Sequence, residues 1–267
     1  MKSLFLPEFD ATIRYHEMPG DGPAIVYLAA LSFPSLLNFL PTALDPAMPC
    51  QHSIFVDYLG VGHSDQPADF DHALQNHATT IARILDHENL PGCIIVGHSM
   101  GGTVAIYLAL QRPDLVSKLI VCEGNITPGG GVATRRNTSV SETEFVDSFF
   151  PNLLAKWQQD GRDGDPSADW RYGAWQNVDF ACIHKNSAAL VTLPADFKQQ
   201  FFDLTMPRVF VYGANSLPEV TGEITADAPD PVELGQQGIA VAVVPDVGHM
   251  MMVLNPAGFA QVLKSEL

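Results

Sequence analysis

The sequence predicts an α/β fold: a mostly parallel sheet flanked by helices, interrupted once by a helical insertion. Three observations lead there. Short apolar runs recur and alternate with stretches of helical period, the pattern of buried parallel strands joined by crossover helices. One of those stretches, Gly101–Gln111, is apolar on nearly every side, so it belongs in the interior. The alternation stops after Glu123 and resumes at Arg208.

Taken in order, Thr12–Glu17 alternates in character and reads as a strand. Ala24–Ala30 (AIVYLAA) and Ser53–Val56 (SIFV) are apolar runs of buried-strand length. Ala73–Leu90 sets Leu74, Ala78, Ile81 and Leu85 on one helical face. Cys93–Val96 (CIIV) and Lys118–Cys122 (KLIVC) are two further strands, and Pro113 closes the helix between them. Gly129-Gly130-Gly131 then opens a region rich in Asp, Asn, Gln and Trp, in which Glu142–Phe150 and Asn152–Gln159 read as helices. Arg208–Tyr212 (RVFVY) and Ala240–Val244 (AVAVV) resume the strands. Asn255-Pro256 starts a last helix, Asn as N-cap and Pro in the first turn, with Phe259, Val262 and Leu263 as its apolar face. The expected division is a core in two parts, residues 1–125 and 206–267, around a helical cap at 126–205.

At 267 residues, 46% hydrophobic and 16% charged, the chain can bury a sizeable core. Its 30 acidic and 14 basic residues leave a net charge of −16, which repels phosphate backbones and anionic bilayers, so neither nucleic acid nor membrane is an expected partner. Cys50, Cys93, Cys122 and Cys182 are scattered without a C-x-x-C pair. That spacing fits neither zinc nor a disulfide framework and points to packed thiols in a reducing cytoplasm. Pro7-Glu8 cuts short the apolar start, so no signal peptide is read there, and no run reaches the ~18 apolar residues of a membrane span.

The chemistry is concentrated at Cys93–Thr103, CIIVGHSMGGT. A buried strand runs into Gly97-His98-Ser99-Met100-Gly101 and then into a buried helix, the strand–turn–helix setting of a G-x-S-x-G nucleophile elbow. Ser99 is therefore the candidate nucleophile. A sharp, strained turn is needed to lift its hydroxyl above the sheet. Gly97 and Gly101 leave room where a Cβ would collide with the neighbouring helix or strand. The helix N-terminus aims the Met100 N–H at the site as a candidate oxyanion donor.

With these residues in view the chain resembles the α/β-hydrolase superfamily over nearly its whole length. Asp57–Pro67 (DYLGVGHSDQP) is similar to that family's D-x-x-G-x-G-x-S-x-x-P loop, in which Gly60 and Gly62 are turn residues. Asp246-Val247-Gly248-His249 matches the family's Gly-His after the last strand, which makes His249 the expected base, in the chain order Ser…acid…His. Two departures stand out. Ala29–Pro34 lacks the usual His-Gly; counting from Gly22-Pro23 puts the second oxyanion amide at Leu31, while aligning on Phe33-Pro34 moves it two residues on. Gly213-Ala214-Asn215-Ser216 lacks the usual acid. A minority of the family places the acid after the strand that follows the nucleophile helix, and Glu123 stands there, as in some haloalkane dehalogenases and in lactonases that open macrocyclic resorcylic lactones. Glu219, Glu223 and Asp227 are rivals on the later loop.

The resemblance implies a serine hydrolase acting on an ester or lactone of a small apolar molecule, with Ser99, Glu123 and His249 as the triad and no cofactor or metal. Carbon–carbon bond hydrolysis and a slow-turnover small-molecule receptor of the same fold are the alternatives. Trp157, Trp170, Trp175, Phe149 and Phe150 either meet the substrate or form the cap's own core. Trp175 and Met250 are the candidate substrate contacts; Met251 and Met252 read as packing, and His98 as structural. The sequence leaves monomer and homodimer open.

Overall fold

Eight strands form one sheet in the order β1-β2-β4-β3-β5-β6-β7-β8 in a computed structural model that describes residues 1–267. They are β1 Lys2–Leu6, β2 Ala11–Met18, β3 Asp21–Leu28, β4 Gln51–Asp57, β5 Cys93–His98, β6 Val116–Cys122, β7 Arg208–Gly213 and β8 Ala240–Val244. β1 and β2 run antiparallel at one edge; β3 to β8 are parallel.

The central strands are apolar throughout because both of their faces are covered. Val26 and Leu28 of β3 enter one apolar layer while Ile25 and Tyr27 enter the other. Helix α1 (Ser35–Ala43) and the C-terminal α10 (Pro256–Ser265) lie over the second layer. Helices α2 (Leu74–His87) and α3 (Met100–Gln111) lie over the first, and ten of the twelve residues of α3 are buried, as an all-round apolar helix requires. Strand β1 has no signature in the sequence because it is a five-residue edge strand in which Leu6 alone is buried.

Between β6 and β7 the chain leaves the sheet for α4 (Val132–Asn137), α5 (Phe150–Arg162), α6 (Pro166–Trp175), α7 (Phe180–Val191) and α8 (Phe197–Phe202). The two helical segments read at 142–150 and 152–159 are one stretch. A short turn at Glu142–Glu144 widens to a π-turn at Phe145–Phe149 and runs into α5. Pro151, which has no N–H to give, follows directly on the π-turn at this join. Helix α9 (Pro231–Gln236) precedes β8. Asn255 caps α10, its Oδ1 accepting the Gly258 N–H at 2.9 Å. No helix is long and apolar enough to cross a membrane. Three of the four thiols are buried; Cys50 is exposed rather than packed.

Candidate active site

Ser99 sits between β5 and α3 with φ 53° and ψ −119°, a conformation that costs a non-glycine residue energy. The surrounding backbone enforces it. The Ser99 N–H donates to the Cys122 carbonyl at 2.9 Å, and the Gly102 N–H returns to the Ser99 carbonyl at 2.9 Å. A Cβ on Gly97 would overlap the Gly101 carbonyl, and one on Gly101 would overlap the Leu28 carbonyl of β3, so both glycines are required by close approach. Ser99 remains partly accessible between the buried His98 and Met100.

Glu123 closes β6, which lies beside β5 with His98 opposite Cys122, so the next residues along, Ser99 and Glu123, emerge side by side. Glu123 also has positive φ, at 44°, and is only 2% exposed. Its Oε1 accepts the Gly213 N–H at 2.8 Å, and its Oε2 accepts a hydrogen bond from Nδ1 of His249 at 2.7 Å. Gly213, where the family's acid loop begins, thus holds the acid of the neighbouring strand. Of the later-loop carboxylates, Glu219 and Glu223 are exposed, whereas Asp227 brings Oδ2 to 3.9 Å from the same Nδ1. Partial burial lowers the imidazole's proton affinity, but the Glu123 hydrogen bond and the charges of Glu123 and Asp227 outweigh it, so the His249 pKa rises above its ordinary 6.5. Ser99 Oγ and His249 are not hydrogen-bonded to one another; such contacts commonly tighten only around a bound substrate.

Three backbone amides that flank Ser99 in the chain or on the strap after β3, those of Met100, Leu31 and Ser32, donate to no acceptor. Met100 opens α3, and its N–H has no acceptor. After β3, the Ala30 N–H donates to Asn38 Oδ1 at 2.9 Å and the Phe33 N–H to the Ala30 carbonyl at 3.1 Å, which leaves Leu31 and Ser32 unspent. The alternative donor two residues beyond Leu31 is therefore already occupied.

His98 is fully buried, with Nε2 2.8 Å from the His249 carbonyl and Nδ1 3.2 Å from Asn38 Oδ1. Burial, reinforced by the neighbouring His249, pushes its pKa well below 6.5. A neutral ring has one N–H, and the shorter bond assigns it to Nε2, bracing the loop that carries His249. Asn38 was not signalled in the sequence: its Oδ1 accepts the Ala30 N–H on the strap that carries Leu31 and lies 3.2 Å from His98 Nδ1, contacts that no local pattern records.

The aromatic candidates divide. Phe150 and Trp157 are buried in the helical insertion, while Phe149 stacks on Phe145 at 5.8 Å. Trp170 and Trp175 of α6 reach the sheet domain, their rings 5.1 and 4.6 Å from Phe33. Trp175 also stacks on Trp157 at 5.1 Å and donates Nε1–H to the Leu31 carbonyl at 3.4 Å. Met250 is partly buried beside the same apolar layer, and Met251 and Met252 are fully buried. A cavity of about 360 Å³ is lined by Arg135, Lys198, Glu223 and Glu233 among others. It reaches neither Ser99 nor His249.

The match to known proteins follows the same parts of the chain. Residues 32–167 fit the family model described as the alpha/beta hydrolase fold. Over 123 residues the chain is 37% identical to the sn-1-specific diacylglycerol lipase ABHD11 of Mus musculus, a span of 44% of this chain and 38% of that protein. It thus covers well under two thirds of that relative's length. Lipase LipV of Mycobacterium tuberculosis is 26% identical over 235 residues, 79% of this chain and 81% of the relative. Among solved structures, an esterase from Exiguobacterium antarcticum superposes with a TM-score of 0.76 at 18% identity, covering 99% of this chain and 98% of that one. The enol-lactonase from Burkholderia xenovorans gives the same TM-score, 0.76, identity and coverage. With the family model spanning half its length and the sheet built in the same way, the chain belongs to the alpha/beta hydrolase fold family.

Proposed function

We propose that the protein is a serine hydrolase that cleaves a carboxylic ester or lactone of a small, apolar molecule through an acyl-enzyme. One observation carries the reading: the 2.7 Å bond from His249 Nδ1 to Glu123, beside a serine held at φ 53°. In this reading Glu123 fixes the imidazole tautomer that leaves Nε2 free to accept a proton. Ser99 Oγ attacks the carbonyl carbon as Nε2 takes its proton. The Met100 and Leu31 amides hold the oxyanion. Collapse expels the alkoxide, which leaves with the proton from Nε2. Water, deprotonated by Nε2, then attacks the acyl-enzyme and releases the acid and Ser99.

Residues 126–205 serve as the cap. Phe33, Trp170 and Trp175 make its contact with the sheet domain apolar, and the one indole N–H that Trp175 offers is spent on Leu31. Such a wall favours an alkyl or aromatic substrate. The names of the relatives and structural neighbours, lipases, esterases and a lactonase, support the same bond class.

The test is turnover of p-nitrophenyl acetate and butyrate, with fluorophosphonate labelling read by intact mass. Steady turnover and one label, both lost in Ser99→Ala, are expected. Binding with negligible turnover marks a receptor instead, and equal labelling of Ser99→Ala removes the nucleophile assignment.

A further inference from the structure

Two carboxylates face one imidazole nitrogen. Glu123 Oε2 bonds Nδ1 of His249 at 2.7 Å, and Asp227 Oδ2 stands 3.9 Å from the same atom. They come from different strand ends, Glu123 from β6 and Asp227 from the loop between β7 and β8. Resting on the reading of His249 as the base, we infer that Asp227 is a second positioning carboxylate for it, held in reserve behind Glu123.

The loop is built to hold Asp227 there. Its Oδ1 accepts the Thr225 hydroxyl at 2.8 Å, and Thr225 Oγ1 in turn accepts the Ala228 N–H at 3.1 Å. The Ala226 carbonyl accepts the Ile126 N–H at 2.9 Å, which docks this loop on the segment just beyond Glu123. Opposite, a Cβ on Gly131 would lie 2.8 Å from Asp227 Oδ2, so that oxygen has its place only because position 131 has no side chain. One oxygen is thereby tied to its own loop and the other is left facing His249, with no hydrogen-bond donor of its own. Asp227 retains 21% of its side-chain surface exposed, against 2% for Glu123, so its carboxylate is less costly to keep charged and is free to shift the ångström needed to reach a hydrogen bond.

The ionisable groups around His249 are Glu123, Asp227 and the neutral His98, whose ring is 4.9 Å away. While Glu123 holds Nδ1–H, Asp227 adds only its field. When Glu123 cannot carry charge, Asp227 is the remaining anion that can fix the tautomer and stabilise the imidazolium. Asp227 should therefore cover a small part of the loss of Glu123, and removal of both should be strongly non-additive.

The experiment is a double-mutant cycle of Glu123→Gln and Asp227→Asn, read as kcat on p-nitrophenyl butyrate and as the rate of Ser99 labelling by a fluorophosphonate. Asp227→Asn alone should cost less than about tenfold, with the acid limb of its pH profile moved to lower pH, because a nearby anion has been lost. In the Glu123→Gln background the same change should cost at least tenfold more than it does alone, and Asp227→Glu should restore part of that loss. A ratio below tenfold between the two backgrounds overturns the proposal. The His249→Ala variant keeps the two readings apart: if it labels as fast as the unaltered protein, the base assignment fails whatever the cycle shows. Circular dichroism melts of each variant identify any that do not fold.

Discussion

Glu123 and His249 meet through a single 2.7 Å hydrogen bond at Nδ1, and the other oxygen of Glu123 is pinned by the Gly213 amide at 2.8 Å. Both oxygens of the Glu123 carboxylate are thus held, and Nδ1 of the imidazole is engaged.

Neutralising that carboxylate is expected to be costly. Glu123→Gln should lower kcat by on the order of 10³ or more, since comparable triads lose on the order of 10⁴ without their acid. Glu219→Gln and Glu223→Gln, both exposed, should each lose less than about tenfold. Kinetics of the three variants on one activated ester decides it. A near-unaltered Glu123→Gln beside an inactive Glu219 or Glu223 variant would move the acid to the later loop.

The pH profile follows from the direction of the His249 shift. Activity needs the neutral imidazole, so kcat/KM should fall on acidification through a pKa above 6.5. The two facing carboxylates move it upward. An acid limb centred below that of free imidazole would contradict the arrangement of Glu123 and Asp227 around Nδ1.

The elbow stores strain at Ser99. Ser99→Gly should raise stability by of order 1 kcal/mol, because glycine adopts φ 53° without penalty, while abolishing hydrolysis. Gly101→Ala should do the reverse, lowering Tm by well over 10 °C or preventing folding, since its Cβ has nowhere to go but the Leu28 carbonyl. Thermal melts of the two variants check both signs.

Acid sensitivity has a separate source. Burial pushes the pKa of His72 down to about 3 and that of His77 down to about 4, against an ordinary 6.5. The folded state therefore resists protons that the unfolded chain accepts. This stability is complete above 6.5 and is lost as pH falls toward the folded values, by about 3 kcal/mol at pH 4 for His77 alone. His77→Gln, which can still donate to Asn186 Oδ1, should flatten the fall in Tm between pH 6.5 and 4. An unchanged slope would place the acid lability elsewhere.

Trp175 ties α6 to the strap that carries Leu31. Trp175→Ala should raise KM more than it lowers kcat and should speed limited proteolysis around residues 161–166 or 129–131. Butyrate at saturating concentration should slow that cutting in the unaltered protein. First cleavage inside α2 would count against the cap as the mobile part.

Strands β3 to β7 are legible in the sequence because both their faces are largely buried, which turns them into apolar runs, and β8, though an exposed edge strand, is legible as the Val-rich run AVAVV. Strand β1 is not, since only Leu6 of it is covered. Glu123 stands out through a missing carboxylate at residues 213–216, a gap that only a whole-chain pattern exposes. The approach of Asp227 to His249 leaves no comparable trace. It depends on a loop folded back by Thr225 and Ala226 and on the bare α-carbon of Gly131. Likewise Asn38 joins Ala30 and His98 across the fold, and no spacing in the chain encodes that contact.

The pairing of His98 with Cys122 has a consequence for how the site tolerates change. Ser99 and Glu123 each follow directly on this pair, and the spacing of the two strands they leave, about 4.8 Å, is a lattice constant of the sheet and not the product of side-chain packing. Mutational drift in the helices can therefore reshape what is admitted without altering the ruler that spaces the reacting groups. Only a slip of β5 against β6 would change it, and such a slip would turn every buried side chain of the strand to the wrong face. On the proposed function, chemistry rests on the least negotiable part of the architecture and selectivity on the most negotiable, which makes residues 126–205, the proposed cap, the segment to exchange when a different substrate is wanted.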